Sequence, residues 1–149
     1  GMPSLYVHTL FGSRSWREGW QQSGIPRRIN RQPLDAASLA AELADPAHRR
    51  HDVFQGLLRL LRLRAVLPAF HPEAPQQVHA WDAGCVVLER GTGRQAVLVV
   101  VNVSGETRHL CLPMPWRDAD DLLHGPDPVD QLPPWGVRWL QRREVHGRN

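Results

Sequence analysis

The chain has 149 residues, 42% of them hydrophobic, with 18 basic against 15 acidic side chains and a net charge of +3. A (β/α)8 barrel takes roughly 250 residues, so a whole barrel plus a second domain is excluded. One ordinary domain fits, or a small domain with an attached fragment. All the basic residues are Arg, and they run along the whole chain among the acids. A nucleic-acid binder gathers its charge on one face, so no nucleic-acid partner is expected. No apolar run approaches the ~20 residues that span a bilayer, so no membrane partner is expected either. The N-terminus lacks the basic-then-apolar order of a secretion signal. Gly1 ahead of Met2 reads as a tag scar. A cytoplasmic protein is expected, with Cys85 and Cys111 as free buried thiols rather than a disulfide.

In chain order, residues 4–10 form a short apolar run closed by Gly12, which predicts a buried strand. Residues 11–33 have no hydrophobic period and predict a long irregular loop; loops of that length are usually functional. Asp35 is placed to cap a short helix reaching Leu43, with Leu39 and Leu43 four apart. Asp45-Pro46 predicts a second helix start, running to about Val66 and stopped by Pro68. Val53, Phe54, Leu57, Leu60 and Leu61 share one face of it, and Arg64 intrudes on that stripe. The Pro-rich stretch 71–75 marks a boundary. Beyond it the pattern turns to strands, over 77–81, 85–90, 95–103, 107–112 and 137–142, with a further short one over 119–123. Gly91-Thr92-Gly93 and Ser104-Gly105-Glu106 are hairpin signals. The continuous apolar run 96–101 predicts a central strand covered on both faces.

Few motifs carry chemistry. The eight His residues are scattered without ligand spacing. Asp118, Asp120 and Asp121 lack the Gly and Glu of a calcium loop and read as a solvated turn. No metal or other cofactor is expected. Arg90-Gly91-Thr92-Gly93-Arg94 is not a phosphate loop, because no Lys-Ser/Thr follows it. Asn102-Val103-Ser104 has the form of an N-glycosylation sequon. Trp16, Trp20, Trp116, Trp135 and Trp139 are candidates to stack on sugar rings, Trp139 being the one expected in the core. The strongest chemical signal is Arg27-Arg28-Ile29-Asn30-Arg31, whose guanidinium forks suit carboxylates, phosphates or sugar hydroxyls.

These residues carry a resemblance. The order from Leu5 through Gly12-Ser13-Arg14 to Ile29-Asn30-Arg31 resembles the last strand and following loop of the barrel in the α-amylase superfamily (glycoside hydrolase family 13). Its sucrose phosphorylase-like branch is the nearest match. Leu57 through Arg64, then Pro68-Ala69-Phe70-His71-Pro72, resembles the last barrel helix and the turn into the C-terminal domain. Asn102-Val103-Ser104 sits where that domain closes a long strand. The resemblance implies an α+β chain, with a remnant of a (β/α)8 barrel over 2–70, a linker over 71–75 and a small antiparallel β-sandwich over 76–149. It implies that Arg27 contacts hydroxyls of the glucosyl unit and that Arg31 is structural. Pro26 stands where the family has Gly.

The family's chemistry needs two carboxylates flanking the glycosidic bond. In the family they follow the fourth and fifth barrel strands, and no acid here stands in such a motif. The resemblance therefore implies a C-terminal portion of an α-glucosyl-transferring enzyme, sucrose phosphorylase or a related α-glucosidase. Such a chain has no catalytic residues of its own and is inert alone. The alternatives are a non-catalytic oligomerisation or carbohydrate-binding module, or a subunit completing a separately encoded barrel. Possible partners are a sugar ligand, the missing barrel chain, or a second copy. A bare strand at 4–10 and an apolar helix face predict a homodimer through the barrel remnant.

Overall fold

The computed structural model describes residues 2–114, 116–125 and 130–143. It combines helices with antiparallel sheet and divides between Val66 and Leu67 into two compact units.

The first unit is helical: α1 (Val7–Leu10), α2 (Arg17–Ser23), a 3-10 turn (Pro26–Asn30), α3 (Ala36–Ala44) and α4 (Arg49–Val66). The strand predicted over 4–10 is not present. Residues 7–10 instead close a helical turn, with the Leu10 and Phe11 amides donating to Tyr6 and Val7 carbonyls. A strand needs neighbouring strands to take up its backbone groups. With none beside it, a short apolar run satisfies them locally. The segment predicted as loop, 11–33, folds as α2 and the 3-10 turn, joined where the Trp16 amide donates to the Ile29 carbonyl at 2.6 Å. Gly24 ends α2 in the left-handed conformation.

Asp35 caps α3 as the sequence predicts. Its Oδ1 accepts from the Ser38 amide and hydroxyl, both at 2.8 Å, and these bonds hold its carboxyl below the ordinary value. Asp45 behaves differently. It accepts from the Ala47 amide in a turn, and α4 begins later, at Arg49.

The second unit is built on a five-stranded antiparallel sheet. Its strands are β1 (Gln76–His79), β2 (Cys85–Arg90), β3 (Val97–Asn102), β5 (Asp120–Asp121) and β7 (Val137–Gln141), in the order β1-β2-β3-β7-β5. β4 (Arg108–His109) and β6 (Gln131–Leu132) form a separate pair. β6 is too short for periodicity to reveal. The strands predicted over 107–112 and 119–123 shrink to two residues each. In the latter, Asp121 Oδ1 takes the Leu123 amide and turns the chain away. β3 is the central strand expected from its apolar run: Val87 faces Val100 across β2, and Leu98 faces Leu140 across β7. Leu98, Val100, Leu132 and Leu140 are fully buried and form the core with Val87, Leu112 and Trp116. The Arg142 guanidinium stacks over Trp116 at 4.5 Å.

Two polar knots fix this unit. The buried Asn102 amide donates to the carbonyls of Glu106, Leu132 and Pro133 and accepts from Ser104. The sequon-like triplet is thus a structural clasp whose Asn side chain is out of reach of solvent. The Asp121 carboxylate, fully buried, takes Arg138 at 2.7 Å and His124 at 2.9 Å. Burial pushes its titration up. The bonds from Arg138, the Leu123 amide and His124 outweigh that and hold it below the ordinary value. Asp120 pairs with Arg143, so two of the three clustered acids are neutralised by arginines.

Candidate functional site

The helical unit holds a polar cleft of about 420 Å³ whose wall includes Arg14, Trp16, Glu18, Glu42, His48 and Arg49. Two stretches about thirty residues apart meet there: the loop ahead of α2 and the turn that opens α4. Arg50 brings them together. Its Nε meets Glu42 at 2.7 Å, and its Nη1 donates to the Phe11 carbonyl at 3.0 Å and to Ser13 Oγ at 2.8 Å. Gly12 turns with φ +58° directly against Val53, where a β-carbon would press on that side chain. His51 Nδ1 donates to the Leu43 carbonyl and ties α4 back to α3. The Trp16 ring packs against Gly19, whose missing side chain is what makes room for it.

A second hollow of about 290 Å³ shares Arg14 and adds Tyr6, His8, Ser13 and Asn30. His8 Nδ1 and Ser13 Oγ share a 2.9 Å hydrogen bond, and Arg50 also donates to that oxygen. Ser13 is therefore engaged on two sides. Among the described residues no carboxylate is bonded to His8, so this pair lacks the orienting third member of a hydrolytic triad. Among the described residues no group of three His, Cys, Asp or Glu side chains could hold a metal ion. Cys85 and Cys111 are both free; Cys111 is exposed, not buried as the sequence predicts, and burial pushes the Cys85 thiol up, away from nucleophile chemistry.

The two arginines singled out in the sequence stand elsewhere. Arg27 lies in the 3-10 turn and Arg31 caps its end, both exposed. Neither lines the two hollows of this unit. Of the residues that do meet, Trp16 is a candidate for sugar stacking, whereas His48 and Arg49 carry no signal in the sequence. Arg14 is visible only through its place beside Gly12-Ser13. Of the tryptophans, Trp116 and Trp139 are buried, Trp139 against Phe70, whereas Trp20 and Trp135 are exposed.

No protein-family model matches the chain. Among curated proteins it is 37% identical over 140 residues to a glucosylglycerate phosphorylase of Allomeiothermus silvanus, covering 94% of this chain and 24% of that protein. The glucosylglycerate phosphorylase of Spirochaeta thermophila is 42% identical over 70% of this chain and 18% of its own length. That of Escherichia coli is 28% identical over 95% and 26%. The chain thus spans about a quarter of the curated relatives it matches. Among solved structures, the trehalulose synthase MutB of Pseudomonas mesoacidophila superposes with a TM-score of 0.56 at 24% identity, over 70% of this chain and 20% of that one. The α-glucosyl transfer enzyme XgtA gives 0.54 at 21%, over 74% and 22%. The chain corresponds to the C-terminal part of a glycoside hydrolase family 13 enzyme. At these identities the superpositions speak for the family 13 fold alone. No helix of the described residues is long and apolar enough to cross a membrane.

Proposed function

We propose that this chain is the C-terminal portion of a family 13 phosphorylase, with a barrel remnant as its helical unit, and that the parent enzyme acts on glucosylglycerate. In that reaction the glycosidic C–O bond breaks and the glucosyl carbon passes to a phosphate oxygen, releasing glycerate and a sugar 1-phosphate. The observation that carries the reading is the 37% identity over 94% of the chain to a protein of that name. It narrows the α-glucoside expected from the sequence. On this reading Arg27, exposed on its turn, reaches the hydroxyls of the glucosyl unit once the remaining barrel wall is present, and Arg31 holds the turn.

The same reading makes the chain silent by itself. Retaining transfer needs a nucleophilic carboxylate and an acid. Of the two glutamates in the cleft, Glu42 is tied to Arg50, and Glu18 has no acid in a recognisable motif to work with. Incubation with glucosylglycerate and phosphate is expected to give no sugar 1-phosphate above a buffer blank. Addition of the remaining barrel segments as a separate chain is expected to restore it. Turnover by this chain alone would overturn the reading.

A second reading, an oligomerising module, is favoured by one observation. Among the described residues of the helical unit no apolar side chain is fully buried. The helical unit then covers itself with the missing barrel or with a second copy. Light scattering at micromolar concentration separates a monomer from the dimer expected through this unit.

A further inference from the structure

We infer that the cleft walled by Trp16 is a subsite for the oxyanion of a small hydroxylated ligand, gripped by Arg14 and Arg49. This rests on the phosphorylase reading and goes beyond it, because neither residue belongs to the Arg27 motif. The charges in the cleft are unequally engaged. Arg50 takes up Glu42 through Nε and directs Nη1 to Phe11 and Ser13. His48 also lies toward Glu42, at 3.9 Å. Arg14 and Arg49, both exposed, then share the wall with Glu18 as its one remaining acid. Two forked cations against one carboxylate leave room for a further negative charge.

The other features of the cleft suit the same ligand. Trp16 offers an aromatic wall for a C–H-bearing carbon skeleton, held by its packing on Gly19. Glu18 and Gln32 offer acceptors and donors for hydroxyls. The cleft opens beside Arg49, the first residue of the 18-residue α4, so the positive end of that helix adds to the field. Its volume of about 420 Å³ lies within the range of small-molecule sites. In complete (β/α)8 barrels the loops after the last strands and an adjacent helix N-terminus frequently make a phosphate site. In a phosphorylase the oxyanion has two sources, a phosphate group or the carboxylate of the glycerate product.

The indole N–H resonance of Trp16, assigned with Trp16→Phe, reads occupancy directly in the 15N-labelled full chain. Inorganic phosphate, glycerate and glucose 1-phosphate are titrated separately at constant ionic strength against chloride. A saturable shift with phosphate and glucose 1-phosphate alone places the phosphate group there; one with glycerate alone places the carboxylate. Arg14→Gln and Arg49→Gln are each expected to weaken binding about tenfold while leaving the spectrum of the second unit unchanged. These positions are exposed, so both variants are expected to fold; Trp16→Leu serves as a second probe, read on the Arg14 and Arg49 side-chain resonances. Absence of saturation with all three probes, or wild-type binding in both Arg variants, would overturn the site. Restored turnover on adding the barrel segments would still stand in that case, so failure of the site and failure of the phosphorylase reading are told apart.

Discussion

The two units are held together by different physics. In the unit from Leu67 onward, apolar side chains vanish from solvent: Val97, Leu98, Val100, Leu132 and Leu140 are completely covered. In the unit from Met2 to Val66 the buried residues among those described are a glycine and an arginine, Gly19 and Arg50. The leucines along α4 are only half-covered. The β unit therefore carries its own hydrophobic driving force. The helical unit relies on local capping and on a polar tie, Arg50 to Glu42, Phe11 and Ser13.

The contrast can be broken most sharply at Asp121. Asp121→Ala leaves Arg138, itself largely covered, without its carboxylate, and should destabilise the β unit by about 3–5 kcal/mol in urea denaturation. The pH dependence has a definite sign. The folded carboxyl titrates below its ordinary 3.8, so its stabilisation is present in full above that value. It is lost as pH falls through the lowered folded value. Wild type and Asp121→Asn should therefore lose their stability difference only below about pH 4; a difference that fades near neutrality would contradict the assignment.

Next comes the core. Leu98→Ala should cost about 2–5 kcal/mol, whereas Leu60→Ala, at a half-covered site on α4, should cost clearly less. Equal losses would mean that the helical unit has a core after all. Gly19→Ala forces a methyl group into the Trp16 ring and should cost about 1–3 kcal/mol. Its signature should be confined to the helical unit, seen as a displaced Trp16 resonance with the β unit's melting unchanged. The smallest effect is expected at Trp135, which is 69% exposed and sits at φ 59°. Left-handed backbone costs a non-glycine residue roughly 1–2 kcal/mol. Trp135→Gly should stabilise the β unit by up to about 1 kcal/mol, after the unfolded-chain entropy of glycine is subtracted. A loss of stability there would show that the exposed indole is held by packing.

What the sequence discloses divides by the range of the interactions and not by unit. β2 runs over the predicted 85–90, the central strand stands where the apolar run lies, and Asp35 caps α3, because each is dictated by neighbours in the chain. Residues 4–10 mislead, because a seven-residue apolar run suits strand and helix equally and the choice depends on what lies beside it. Two-residue strands such as β6 have no period to read. The cleft was illegible for a further reason. Arg14 and Arg49 are brought together by Arg50, whose bonds cross more than thirty residues of sequence. The Arg27 motif could be read because it is contiguous, yet contiguity does not put it in a cleft.

Arg90 has a bearing on where such a module can be severed. From inside β2 its guanidinium reaches back to the carbonyls of Ala69 and His71 and to the Gln76 side chain. Gly91, at φ +78°, presses directly on Ala69. The Pro-rich stretch that reads as a seam in composition is therefore stitched down by a charged group that takes two of its three partners from residues 69–71. A chain trimmed at Pro75 would keep every strand and still leave that cation, within the sheet, only the Gln76 side chain of its three partners; trimmed after Val66, it would keep the stitching. Gene fusions, recombination and limited digestion should respect the same line, so the transplantable piece is the sheet together with the short tail of residues leading into it.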